Sequence, residues 1–232
     1  MGLTFEDRPS DSAYVDRVWR SRSEGLDRMT SIATGHWTLV VWEEAGRVRA
    51  ALQGPETRAS SAPVPEDTTF LGIRFALGTT MPWIPVQRLV DGHVELPDVS
   101  RRSLWLAGSS WSLPTYDNAE GFVRRLARAD ALVRDPVVAG VLDGGSVSLT
   151  VRSVRRHFLS ATGLTAGTIR QIERARQAAL LLEDGRSTDE VVHGLGYFDQ
   201  PHLARSLRRF IGQTATQLRG RSPDQLSLLY KP

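Results

Sequence analysis

Two stretches of the chain, 49 positions apart, carry the same pattern. Val154–Thr165 reads VRRHFLSATGLT and Leu203–Thr214 reads LARSLRRFIGQT. Laid together without gaps, Val154 meets Leu203, Arg156 meets Arg205, Phe158 meets Leu207, Gly163 meets Gly212 and Thr165 meets Thr214. A constant offset over a helix-length segment marks an internal duplication. Each copy places apolar residues at helical spacing and ends on a glycine, the residue that most readily takes the left-handed conformation of a helix C-terminus. A chain that repeats one amphipathic helix must bury the same face twice, so its C-terminal part is expected to be helical.

The second copy sits in GYFDQPHLARSLRRFIG, Gly196 to Gly212. Gly196 closes a short helix, Asp199 caps the next by accepting an orphan N–H, and Pro201 falls in the first turn, where its missing donor costs little. Leu203, Leu207 and Phe210 take the core face, which leaves Gln200, His202, Arg205 and Arg209 for other faces. Arg and Gln suit base edges because each bonds to G or to A in a bidentate way. This is the form of the turn and second helix of a helix-turn-helix.

Other punctuation orders the same region. Thr150 caps a helix from Val151 to about Thr162, although SVSLTV (146–151) alternates like a strand. Thr165–Glu183 is a long helix with Ile169, Ile172, Ala175, Ala179 and Leu182 on one side, ended by Asp184-Gly185. Ser187 and Glu190 form a capping box that opens a short helix to Leu195. Charge follows this division. Residues 146–232 hold 13 Lys and Arg against 7 Asp and Glu, whereas residues 1–145 hold 16 against 19. The repeat lies in the basic part, as phosphate binding requires.

The N-terminal part reads as β. Residues 1–31 are polar, with Tyr14, Val18 and Trp19 as anchors of a helix or strand. His36–Glu43 is apolar on both faces, as in a strand buried between layers. Arg47–Gln53 follows after a turn at Gly46, and Thr57–Asp67 reads as a Ser/Pro/Ala-rich loop. In Thr69–Leu77, residues Leu71, Ile73, Phe75 and Leu77 share one face and Arg74 takes the other. Short strands at such intervals suggest a barrel or sandwich. A helix is expected over 117–133, capped by Asp117 with Glu120. A domain boundary follows near Arg134, and Val137–Leu142 forms a turn or two of helix.

Three segments in order, VRSVRRHFLSATGLT, IRQIERARQAALLLEDG and GYFDQPHLARSLRRFIGQT, resemble the DNA-binding domain of AraC-type transcription regulators. The likeness covers Ser148–Arg219. FLGIRFALGT followed by LVDG resembles the cupin-like sensor region of some members. The resemblance implies an α+β chain: a β-rich cupin-like barrel or sandwich over 1–134 with its closing helix, an all-α domain of two helix-turn-helix units joined by a long helix over 135–222, and a tail over 223–232. It implies DNA contacts through positions held by Arg152, Arg155 and Arg156 in the first unit and by Gln200, Pro201, His202 and Arg205 in the second; Ser153 is a further candidate beside them, and Arg209, nearer the helix end, is the phosphate candidate. Pro201 departs from the family pattern, since its side chain offers no hydrogen bond. The implied partners are operator DNA, a small effector, RNA polymerase and a second copy of the chain, in the cytoplasm.

Five of the six tryptophans lie between Trp37 and Trp111. An aromatic-lined barrel would take a small apolar or aromatic effector, and Trp37, Trp42, Arg74 and Trp83 are the candidate contacts. No cysteine is present, which excludes disulfides, thiolate zinc sites and cysteine nucleophiles. His36 and His93 lack His-x-His spacing, so neither metal nor cofactor is expected. No G-x-S-x-G motif accompanies Ser109-Ser110, and no catalytic residue is assigned. MGLTFEDRPSD lacks the form of a signal peptide, and no apolar run reaches membrane-spanning length. The competing readings are a helical protein-binding module without a DNA role and a small-molecule enzyme built on the cupin-like domain.

Overall fold

The computed structural model describes residues 2–24, 28–65, 67–142, 144–145 and 148–220. A β-rich N-terminal region precedes a helical C-terminal one, the α+β layout that the residue patterns imply. The strands are β1 (Gly2–Pro9), β2 (Val15–Glu24), β3 (Arg28–Ser31), β4 (Thr38–Glu44), β5 (Arg47–Gln53), β6 (Ser60–Pro63), β7 (Thr69–Phe75), β8 (Thr79–Thr80), β9 (His93–Glu95), β10 (Ser103–Leu106) and β11 (Ser109–Ser112). Helix α1 (Ala119–Arg128) and β12 (Val133–Arg134) complete this region. The helices that follow are α2 (Pro136–Leu142), α3 (Val151–Thr162), α4 (Ala166–Glu183), α5 (Thr188–Gly194), α6 (Gln200–Phe210) and α7 (Ala215–Arg219).

Six strands form one antiparallel sheet in the order β1-β2-β7-β4-β5-β9. Period-2 alternation gives the sheet two different faces. Val18, Leu39, Val41, Ala50, Leu52, Ile73 and Phe75 turn to a core shared with Phe122, Val123 and Leu126 of α1 and with Leu104 and Leu106 of β10. Arg17, Trp19, Ser21, Thr38, Val40, Phe70 and Arg74 line a cavity on the opposite face. Gly72 stands opposite Trp19 in the β2–β7 register. A Cβ there would run into the indole ring, so only glycine lets the ring lie flat on β7.

Three local expectations change. The polar N-terminus is two long paired strands, Gly2–Pro9 on Val15–Glu24. Ion pairs such as Arg20–Glu6 dress their surface, so the charge that hides the pattern belongs to the solvent side. The segment 57–67 contains β6, which pairs with β3 and carries Pro63 at its end, where a missing donor is tolerated. Helix α1 is shorter than 117–133 and begins after Asn118, with no side-chain cap. Glu120 does not close a capping box, because it is paired with Arg8 across the fold at 2.9 Å. After the helix, Asp130 takes a positive φ of 52° and turns the chain into β12.

A second core lies among the helices. It holds Phe158 and Ala161 of α3, Ile169, Ile172, Ala175, Ala178, Ala179 and Leu182 of α4, and Leu203, Leu207 and Phe210 of α6. Ile32 and Ala33, which follow β3, enter the same core, so the two regions share packed surface. Residues 146 and 147 and the tail 223–232 lie outside the described residues.

Candidate nucleic-acid interface and its neighbouring cavity

The duplication seen in sequence is a duplication in space of caps as well as helices. Thr150 caps α3, its hydroxyl accepting from the Ser153 amide at 3.2 Å. Asp199, 49 positions on, caps α6 by accepting from the His202 amide at 2.7 Å. Gly163 and Gly212 follow the two helices with φ of 71° and 78°. Thr165 then caps α4, and Thr214 caps α7 in a capping box with Gln217. The run of N-cap, helix, left-handed glycine and threonine cap thus occurs twice, once at each end of α4.

The second unit is braced from within. Tyr197 is buried, its hydroxyl lies 3.2 Å from Ser206 Oγ of α6, and the Arg174 guanidinium of α4 stacks over its ring at 4.4 Å. Arg174 also donates to the Gly196 carbonyl at 3.3 Å, which ties the connector to the turn. Sequence reasoning missed this brace, since neither tyrosine nor serine had an apolar period to betray it. In the first unit His157 Nδ1 lies 2.7 Å from Asp135 Oδ2, and Asp135 also accepts from the amides of Val137 and Val138. The start of α2 and the side of α3 are therefore held by one carboxylate.

The expected contact residues differ in how free they are. Arg152, Arg155 and Arg156 of α3 and Arg205 of α6 are exposed, with no ion pair or side-chain hydrogen bond among the described residues, and the same holds for Arg208, which was not among those expected. Arg209 is exposed with its guanidinium 4.9 Å from the Phe210 ring. Ser153 is engaged in the Thr150 cap, its Oγ accepting from the Thr150 hydroxyl. Gln200 donates to Asp189 of α5 at 2.8 Å. The His202 ring meets Tyr197 edge-on, and its Nδ1 accepts from the Phe198 amide, which leaves the ring proton on Nε2. The free groups are thus arginines, while Ser153, Gln200 and His202 help to build the turn.

The C-terminal ends of both repeated helices rest on the N-terminal region. Ala33 and Ala59 donate their amides to the carbonyls of Phe210 and Arg209 at 2.8 and 2.7 Å. A Cβ on Gly163 would come within 2.5 Å of Val90, and Gln87 donates to the Leu159 carbonyl of α3 at 3.0 Å. The Arg209 and Phe210 carbonyls, at the end of α6, are in this way satisfied by the β-rich region, whereas the Leu159 carbonyl adds the Gln87 bond to the one it accepts from the Gly163 amide.

Beside the α6 contact lies a cavity of about 380 Å³, bounded by the sheet, by β3 and β6, and by Arg176 of α4. Phe5 and Trp19 stack there with centroids 5.5 Å apart. Arg74 lines it and is paired with Asp16. Glu56 lines it too, accepting from the Ser31 hydroxyl at 2.6 Å, and burial pushes its carboxyl above the usual range. Of the four expected effector contacts only Arg74 reaches this cavity. Trp37 packs in the sheet core, Trp42 belongs to β4 outside the lining, and Trp83 is 40% exposed with its N–H on the Ala131 carbonyl. Trp19, which the sequence marked only as a packing anchor, is the tryptophan at the cavity. His36 is buried and its Nδ1–H donates to the Phe75 carbonyl, while burial and then Arg74 push its pKa down, so the ring is neutral.

Residues 145–221, about a third of the chain, match the protein-family model described as "Helix-turn-helix domain". No curated protein matches the chain. A solved structure, apo ToxT K231A from Vibrio cholerae strain SCE256, aligns with 90% of this chain and 98% of its own at 7% identity and a TM-score of 0.41, below the level of a common fold. With two capped units on one connector, residues 145–221 form a helix-turn-helix domain. Among the described residues no helix is long and apolar enough to cross a membrane.

Proposed function

We propose that the chain is a sequence-specific regulator that lays α3 and α6 into successive major grooves of one duplex. The observation that carries this reading is the repetition of cap, helix and left-handed glycine at the two ends of α4, with unpartnered arginines on each copy. The 18 residues of α4 span about 27 Å, and successive major grooves on one face recur about every 34 Å. A connector of that length suits the spacing once the flanking turns are added. Arginines that make no other contact neutralise phosphates and read guanine.

We further propose that the β-rich region controls the domain through a small effector with an apolar or aromatic body. The cavity is of ligand size, offers Phe5, Trp19 and Phe70 as stacking surface, and adjoins Ala33 and Ala59, which hold the end of α6. Any contact with RNA polymerase or a second copy belongs to the same proposal.

Retention on random duplex DNA at low and high salt tests the first reading. The protein should bind at low salt and release steeply as salt rises. Failure to bind at low salt would favour a protein-binding module or an enzyme. A ligand screen read by tryptophan fluorescence tests the second. If every ligand leaves emission and thermal stability unchanged, effector control is refuted while DNA binding stands.

A further inference from the structure

The duplication extends one residue beyond the caps. Leu149 precedes Thr150, and Phe198 precedes Asp199, at the same offset of 49 positions. Phe198 is 90% exposed and Leu149 44% exposed, and both are among the large apolar side chains left in solvent. An apolar residue just before an N-cap ordinarily packs on the fourth helical residue as a hydrophobic staple. In α6 that residue is Leu203, fully buried in the helical core and out of Phe198's use. The backbone of Phe198 is nonetheless fixed, because its amide donates to His202 Nδ1 at 3.4 Å. The side chain is therefore held outward.

Single exposed apolar residues are ordinary on a protein surface. Two at equivalent places, each ahead of a helix with free arginines, call for a partner that presents the same apolar feature twice. A duplex does so. In its major groove the only apolar group on a base edge is the thymine C5 methyl. A protein partner would need two matching pockets at the spacing of the repeat, facing a surface of uncompensated arginines.

We propose that Phe198 and Leu149 are specificity-determining residues, each packing on a thymine methyl at the entry of its helix into the groove. This rests on the DNA-reading proposal above. Pro201 lies on the same exposed first turn of α6 and widens the apolar contact.

Site selection from a random duplex pool by the full chain comes first. If no sequence is enriched, DNA reading fails and this inference falls with it. If a site is enriched, each thymine is replaced singly by deoxyuridine, and wild type is compared with F198A, L149A and F198L. The expected result is a loss of about fourfold for one deoxyuridine in each half of the site, the size of one buried methyl group. F198A should bind thymine and deoxyuridine alike in its half, L149A likewise in the other, and F198L should keep most of the discrimination. Both side chains are exposed, and circular dichroism verifies that the variants fold. A site without thymine, indifference of the wild type to every deoxyuridine, or an undiminished penalty in F198A and L149A would overturn the inference while leaving DNA reading intact.

Discussion

The amide of Ala33 donates to the carbonyl of Phe210 at 2.8 Å, so the last turn of α6 ends on the β-rich region and not in water. The neighbouring pair, Ala59 to Arg209, repeats the contact. Ile32 and Thr34 flank Ala33 and line the cavity, as does Ser60 beside Ala59. Whatever moves those rim residues acts directly on the carbonyl end of a repeated helix.

Two glycines separate backbone strain from this contact. Gly212 has φ +78°, and a Cβ there would lie 3.0 Å from Ala59 Cβ and 3.2 Å from Thr30 Cγ2. Gly185 has φ +85° and nothing within 4 Å. Gly185→Ala should cost about 1–2 kcal/mol, the strain of a left-handed L-residue. Gly212→Ala should cost about 1 kcal/mol more, because Ala59 and Thr30 must yield. Chemical denaturation of the two variants reads the difference, and equal losses would mean that the packing carries no weight.

Asp199 offers a test of the cap. Its carboxylate accepts from the His202 amide at 2.7 Å. Asp199→Ala should lower stability by about 1 kcal/mol, whereas Asp199→Asn should be nearly neutral. The Ala variant should also weaken DNA binding, since α6 would fray at the end proposed to enter the groove. A stable Ala variant would show that Pro201 and Tyr197 suffice to start the helix.

The helical half was legible in sequence because its signals are local. Thr150, Gly163, Thr165, Asp184, Ser187, Asp199 and Gly212 act through residues within five positions, and each stands at the helix end that its chemistry implies. The β-rich half was legible where apolar residues cluster between turn signals, as in β4, β5 and β7. Arg47–Gln53 is β5 to the residue, whereas β1 and β2 were hidden by charges whose partners lie on other strands. Of the cavity only Arg74 was legible. Phe5, Trp19, Glu56 and Arg176 are far apart in the chain and meet only through strand order and the docking of α4. The same holds for Glu120, whose spacing from Asp117 imitates a capping box while its carboxylate is claimed by Arg8, 112 positions away.

That Arg8–Glu120 pair sets an acid dependence. The Arg8 guanidinium, bonded to both carboxylate oxygens, lowers Glu120 from 4.5 to about 2. A depressed folded-state pKa adds stability that is fully present above the unfolded value and lost as pH falls through the folded one. The pair is partly open to solvent, so its worth is about 1 kcal/mol. Glu120→Gln should therefore be less stable than wild type at neutral pH by about that amount. The gap should close progressively from about pH 4.5 to about pH 2. A gap that persists unchanged at pH 2 in urea titrations would assign the loss to packing and not to charge.

Arg205 and Arg209 share one helix and differ in what surrounds them. Arg205 makes no ion pair or side-chain hydrogen bond among the described residues and lies in the second helical turn after the Asp199 cap, in the half of α6 proposed to face base edges. Arg209 sits in the last turn with its guanidinium against Phe210, and its own carbonyl accepts from the Ala59 amide. Arg205→Ala should cost about 1–3 kcal/mol on the selected site and relax preference at one base pair. Arg209→Ala should weaken all sequences alike and reduce the slope of log affinity against log salt by about 1. Gel shifts over single-base variants, repeated at several salt concentrations, separate the two. If Arg205→Ala lowers binding uniformly and flattens the salt slope, it is a phosphate contact, and sequence reading by α6 must rest on Gln200, His202 and the residues of its first turn.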